Sequence, residues 1–550
     1  MSEMPTYEEL LAQNNYLKNH AKYQAAQLAE KDKQINEKNI EIKELKKQNK
    51  ELEINYNWIL EQLKLSKRQK FGSSAESIME GYEQINLFNE AEAERTPFKA
   101  EPTVEEVVKR SSKSKKKSIK DKYKNLEVEE IIHALPDEEK ICNSCGSEMN
   151  FMRYDISHKI RIIPAKAILE VHKTEVYVCK ECDKNGTEGS FKTAQSESSL
   201  IEKSLATPSL VAYILNQKFC MGLPLYRQEQ ELRRMNIHLS RQTMANWVIA
   251  AAKMLKPLYD KLHKQLVKRN ILHADETSLE VLKLQNRDVP LNAYMWVYRT
   301  SRFEDFPIVL YDYEVGRSGS YPKKFLEDFE GYLHCDGWSG YDKVENIKRV
   351  GCWVHARRKF YDALKIQADP KDYSTIAGQA FLMIEKLFEA ERISPDKPAE
   401  LSEYSLEKIA ETRKNISTKI LDEFFDFCDK HQGVSLPKSL TGTAITYALN
   451  QKETLMTFLE NPKLELSNNA AERAVKPFVI GRKNWLFCNT AGGANSSAVI
   501  YSIIETAKEN GLKPFGYLEF LFENIRVGND VAELVPWSEK VPENIKMKGE

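Results

Sequence analysis

Asp275, Asp336 and Glu472 are the residues whose settings suggest chemistry. The pattern apolar-Leu-His-small-Asp occurs twice, as Ile271-Leu-His-Ala-Asp275 and Tyr332-Leu-His-Cys-Asp336. Each reads as a short strand ending in a carboxylate. Glu472 follows Ser467, Asn468 and Asn469, which are good N-caps. Ala470 to Val475 then read as a short helical run that Pro477 ends. Two strand-end aspartates and one helix glutamate can converge on one rim of a sheet. Carboxylate oxygens are hard ligands that suit Mg²⁺. Two such ions, about 4 Å apart, hold the attacking and leaving oxygens of a phosphodiester displacement. Arg473, Lys476, Arg482 and Lys483 lie close to the glutamate in sequence and suit a nucleic-acid backbone. Each acid also has a structural reading. Asn469-Ala-Ala-Glu472 has capping-box spacing, Asp336-Gly337 is a turn dipeptide, and Asp275 suits a cap.

A second constellation is Cys142-Asn-Ser-Cys145 with Cys179-Lys-Glu-Cys182. Two C-x2-C turns present four thiolates to one tetrahedral Zn²⁺, and four thiolates close its coordination shell, so this zinc is structural. The stretch between them alternates like strands, and His158 and His172 read as surface strand residues rather than ligands. Five further cysteines are unpaired in sequence, which points to a reducing, cytoplasmic setting.

The elements that must position these groups form a recognisable order. Residues 1–70 read as a coiled coil, with Leu10, Leu17, Leu28, Ile35, Ile42, Leu45, Leu52, Ile59 and Leu63 on a heptad seam. That seam implies a homo-oligomer. Residues 71–128 are a linker whose basic run, 109–124, is either a solvated spacer or a phosphate contact. Residues 129–198 hold the four-cysteine zinc-binding segment. Residues 199–267 are helical, and a turn at 235–239 leads to a helix capped by Ser240. Arg241 and Gln242 in its first turn can meet base edges or phosphates. A helix-turn-helix and an ordinary helical hairpin both fit this pattern.

Residues 268–490 change to three strands, a helix, a strand and a strand-helix unit, the order of a ribonuclease H-like α/β core. A helical insertion over about 371–460 separates Asp336 from Glu472. Residues 491–550 form a C-terminal helical segment. Lys+Arg and Asp+Glu number 81 each, which argues against a uniformly basic nucleic-acid coat. No run of 18 apolar residues predicts a membrane span. The acidic N-terminus lacks the apolar core of a signal peptide.

Four longer motifs carry a family resemblance: His273-Ala-Asp-Glu-Thr277, Cys335-Asp-Gly-Trp-Ser-Gly-Tyr341, Gly351-Cys-Trp-Val-His-Ala-Arg-Arg-Lys-Phe360, and Asn468-Asn-Ala-Ala-Glu-Arg-Ala-Val-Lys-Pro477 continuing to Gly481-Arg-Lys-Asn-Trp485. With the order of segments, they resemble the large transposase of the insertion sequence 66 family over nearly the whole chain. The resemblance implies a DDE transposase, with Asp275, Asp336 and Glu472 as the triad, DNA as substrate, and small accessory proteins as partners. Two other classes stay open from the residues alone: a DNA-binding protein whose acids are structural, and a ribonuclease H-like nuclease without strand transfer.

Overall fold

The computed structural model describes residues 7–71, 167–178, 191–194, 198–283, 291–367, 369, 372–393 and 403–547. The chain divides into two compact units, 88–195 and the remainder. In the former, β1 (Val176–Val178) and β2 (Phe191–Thr193) pair antiparallel, with Tyr177 opposite Lys192. The four zinc-type cysteines, His158 and the basic run lie outside the described residues, while His172 is exposed as expected but precedes the strand rather than lying in it.

In the larger unit, α1 (Tyr7–Phe71) is one 65-residue helix free of Gly and Pro. Its heptad residues Leu17, Leu28, Ile35 and Leu52 remain exposed. Its C-terminal part touches the body of the unit, where Lys438 Nζ donates to Asn55 Oδ1 (2.9 Å) and the Leu440 amide to Glu61 Oε2 (2.7 Å). Next come α2 (Pro208–Phe219), α3 (Leu225–Arg234) and α4 (Arg241–Leu266). Asn236 takes the left-handed conformation in the α3–α4 turn, which asparagine tolerates. Ser240 caps α4 as expected, accepting from the Thr243 amide at 3.1 Å.

The sheet contains β3 (Ile271–Lys283), β4 (Leu291–Thr300), β5 (Val309–Glu314), β6 (Gly331–His334) and β7 (Ile347–Val350). Their spatial order is β5-β4-β3-β6-β7. The first three strands pair antiparallel, and β6 and β7 run parallel to β3. The outer edge of β5 is covered by α13 (Ala491–Glu509). Ser502 and Thr506 of that helix accept from the Tyr311 and Val309 amides at 2.8 and 3.0 Å. Two hydroxyls of that helix thus satisfy strand-edge donors that would be costly to bury unpaired.

One expectation is corrected here. β3 does not end at Asp275 but continues to Lys283, because its hairpin pairing with β4 extends to Val281. The parallel partner β6 covers only Ile271 to His273. A short strand, β8 (Cys488–Thr490), joins the same side of β3 at Val281 and Lys283. Among the described residues, β3 therefore has an open edge over 274–280, and Asp275 lies at the start of that gap.

After α5 (Ser320–Phe325) and β7, α6 (Trp353–Lys365) begins a second core with α7 (Ile376–Ala390), α9 (Thr418–Gln432) and α10 (Leu440–Asn450). Between α7 and α9 lies α8 (Glu403–Thr412), and α11 (Lys452–Met456) follows α10. Buried Arg413, just after α8, pairs with Glu391 at 2.8 Å. It also donates to the carbonyls of Phe458, Asn461 and Leu464. A buried guanidinium needs such a full set of acceptors. Here it anchors the segment leading to α12 (Asn469–Trp485), whose first turn carries Glu472.

A second correction concerns that helix. Pro477 does not end it, and eight further residues stay helical. Proline inside a helix costs about 3 kcal/mol. Tertiary contacts on both sides offset this: Phe478, Ala474 and Val475 are buried, and the Tyr311 hydroxyl donates to the Ala474 carbonyl. The last helix is α14 (Pro514–Arg526). Among the described residues, no helix is long and apolar enough to cross a membrane.

Candidate active site

Side chains alternate along a strand, so His273, Asp275 and Thr277 share one face of β3. Helix α12 lies against that face and is tied to it at both ends. At its start, Asn468 Oδ1 accepts from His273 Nδ1 (3.0 Å), and its Nδ2 donates to the Ala274 carbonyl (2.8 Å). Near its end, Arg482 Nη1 donates to Thr277 Oγ1 (3.1 Å) and to the Ser278 carbonyl. These two side chains satisfy strand carbonyls in the stretch that lacks a second neighbour. The capping-box reading of Glu472 is not realised. Asn469 is already helical, the cap Asn468 makes no side-chain bond to the helix, and the Glu472 carboxylate faces His355.

Burial raises the Asp275 carboxyl well above the usual range, and the charges of Glu276, Glu472 and Asp336 push it further, against one hydrogen bond from the Glu276 amide (2.9 Å). The fields of both other acids therefore reach Asp275. Asp336 stands two residues beyond the end of β6. Its Oδ1 accepts from the Trp338 amide (2.9 Å), and Arg349 holds its carbonyl (2.9 Å).

Sequence reasoning gave no role to several neighbours of the acids. Glu276 is bound by Tyr341 Oη (2.7 Å) and by Arg317, whose Nη2 also stands 3.7 Å from Asp336 Oδ2. Arg317 lies over the Trp338 ring at 4.8 Å. His355 Nε2 stands 3.6 Å from Glu472 Oε1, and ligand atoms of Cys352, His355 and Glu472 all lie within 4.8 Å of one another. Burial lowers the His355 pKa, while the Glu472 charge opposes that. The Cys352 thiol, pushed up to about 11 by burial, accepts from the Asn468 amide at 3.2 Å. Cys352-Trp-Val-His355 was visible as a motif, but nothing local said that it faces Glu472.

The expected DNA-contact residues divide by placement. Arg473 and Lys483 are exposed and Lys476 is half-buried, whereas Arg482 is half-buried and tethered to β3. Arg241 and Gln242 are exposed on the first turn of α4, where the Arg241 amide donates to Glu229 Oε1 (3.2 Å).

Fold and site together define a mixed α/β protein with acids clustered where its sheet edge opens, beside a cationic helix. The chain belongs to the IS66 transposase family: the profile described as "Transposase IS66 family" matches residues 203–496. Further profiles match the "zinc-finger binding domain of transposase IS66" at 139–183, the "IS66 C-terminal element" at 502–537 and "Transposase C of IS166 homeodomain" at 58–131. The uncharacterised protein y4qI of Sinorhizobium fredii is 31% identical over 430 residues, covering 75% of this chain and 76% of that protein. The uncharacterised protein y4hP of the same organism is 27% identical, covering 72% and 73%.

Proposed function

We propose that this chain is a DDE transposase that cleaves DNA at the ends of an insertion element and joins those ends to a target. Asp275, Asp336 and Glu472 are its metal-holding acids, in a ribonuclease H-like core spanning 268–490. The reading is supported by the open edge of β3 at Asp275, by the tie of the Glu472-bearing helix to that strand, and by the like charge of Asp336 and Glu472 that acts on Asp275. The strand order, three antiparallel strands and then two parallel ones, supports the core assignment.

The donor set fits Mg²⁺. Clustered carboxylates repel one another, and Glu472 Oε1 is buried without a hydrogen-bond partner. A divalent cation relieves both. Two such ions, when bound, polarise the phosphate and stabilise the attacking and leaving oxygens. The protein's own groups do the positioning. His355 orients Glu472. Arg317 neutralises Glu276, which would otherwise add a fourth charge beside Asp336. Arg473, Lys476 and Lys483 hold phosphates, with Arg482 contributing the donors that β3 leaves over. Arg241 and Gln242 contact DNA from α4. Cys142, Cys145, Cys179 and Cys182 hold one structural Zn²⁺, and the heptad seam of α1 joins copies of the chain. A cytoplasmic location and small accessory proteins complete the reading.

The test is cleavage and joining in Mg²⁺ on duplexes carrying the element's ends. Asp275→Asn, Asp336→Asn and Glu472→Gln should each abolish both products while end binding and melting temperature stay near those of the unaltered protein. A fully active Glu472→Gln protein would overturn the assignment. Nicking without joined products would make the chain a nuclease instead.

A further inference from the structure

We propose that Leu486 and Phe487, at the far end of the helix carrying Glu472, form an apolar wedge that inserts between stacked base pairs of bound duplex DNA. The proposal rests on the DNA-cleaving reading above. Leu486 has φ 65° and ψ −53°, a conformation that a side chain with a Cβ rarely adopts. The Phe487 amide donates to the Trp485 carbonyl at 2.9 Å, closing a three-residue γ-turn around it. Glycine would take this backbone without steric cost. The chain instead places leucine there and leaves it 66% exposed, with Phe487 42% exposed beside it. Core packing therefore does not explain the residue. Strained positions of this kind persist where the surroundings hold them, and they gather at ligand sites.

The base of the turn is firmly held. Trp485 packs edge-on against Phe478 (5.4 Å), and Lys218 stands over its ring (5.4 Å). The loop after α2 adds a third apolar group, Met221, which is 67% exposed. Its neighbour Gly222 lies so close to the helix that a Cβ there would sit 2.9 Å from Asn484 Nδ2.

Charge selects the occupant. Helix α12 carries Arg473, Lys476 and Lys483 against a single acid, Glu472, besides Arg482, which is tied to β3. A cationic ridge ending in an exposed apolar tip matches a polyanion with stackable bases. Apolar side chains inserted at a base step unstack it and kink the duplex. Fourteen residues separate Glu472 from Leu486, about 21 Å of helix. At about 3.4 Å per base pair, that is about six base pairs along a duplex lying on the ridge.

The experiment uses the full chain and a duplex of the element's end, with 2-aminopurine replacing single adenines across about the first ten base pairs. Binding should raise fluorescence about six base pairs from the cleaved phosphate. Leu486→Gly and Phe487→Ala should abolish the rise and weaken binding by about tenfold or less. Leu486→Gly should melt at the same or a higher temperature, since glycine relieves the backbone, so the lost signal cannot come from unfolding. A rise that survives in both variants, or one confined to the cleaved phosphate, overturns the wedge. So does a lower oligomeric state of the variants in light scattering, which would mean that a second copy of the chain covers the tip. Cleavage is scored separately: a normal rise without Mg²⁺-dependent cleavage sinks the transposase reading alone, and cleavage without any rise sinks the wedge alone.

Discussion

Asn468 and His273 lock the acid-bearing helix to the acid-bearing strand. The asparagine amide accepts from the imidazole at 3.0 Å and donates to the next residue's carbonyl at 2.8 Å, with both side chains buried. Asn468→Ala leaves that carbonyl and the imidazole N–H unpaired, at about 1–3 kcal/mol each. Urea denaturation should show a loss of roughly 2–5 kcal/mol. Asn468→Asp, which keeps an acceptor but loses the donor, should not restore stability. A change within about 0.5 kcal/mol, the usual range for surface substitutions, would show that α12 is held by other contacts.

His355 is expected to orient Glu472 rather than to react. His355→Ala should lower the cleavage rate about 10–100-fold, as groups supporting a metal ligand commonly do. The KM for DNA and the melting temperature should change little. A rise in KM at constant kcat would place His355 in DNA binding instead.

Asp312 offers a pH test away from the acids. Burial, with Glu314 nearby, pushes it up to about 7, against the pull of Lys256 and Lys324. Its folded pKa exceeds the unfolded value of about 4, so the folded state binds more protons between those pH values. Stability therefore falls as pH rises from about 4 to about 7, and this contribution is flat above. Asp312→Asn should remove the slope and gain roughly 1–3 kcal/mol at pH 8 relative to pH 5. Parallel pH–stability curves for variant and parent would refute this.

Zinc should be present at one ion per chain in protein purified without chelators. Removing it, or Cys142→Ser, should unfold residues 140–185, because four thiolates without an ion repel one another. Metal analysis that finds no zinc would contradict this.

The elements of this protein are legible locally. The heptads of α1, the Ser240 cap and the order of strands and helices follow from periodicities of two to four residues, which depend on near neighbours in sequence. The two Leu-His-small-Asp segments and the run around Glu472 were visible for the same reason. Tertiary structure decided what lies across from what. β3 runs past Asp275 because β4 continues to pair with it, and α12 passes Pro477 because Phe478 and Tyr311 hold both sides of the break. His355 faces Glu472, and Arg482 turns to β3, through contacts spanning more than 100 residues. Such contacts depend on packing of the whole domain, and no local pattern encodes them.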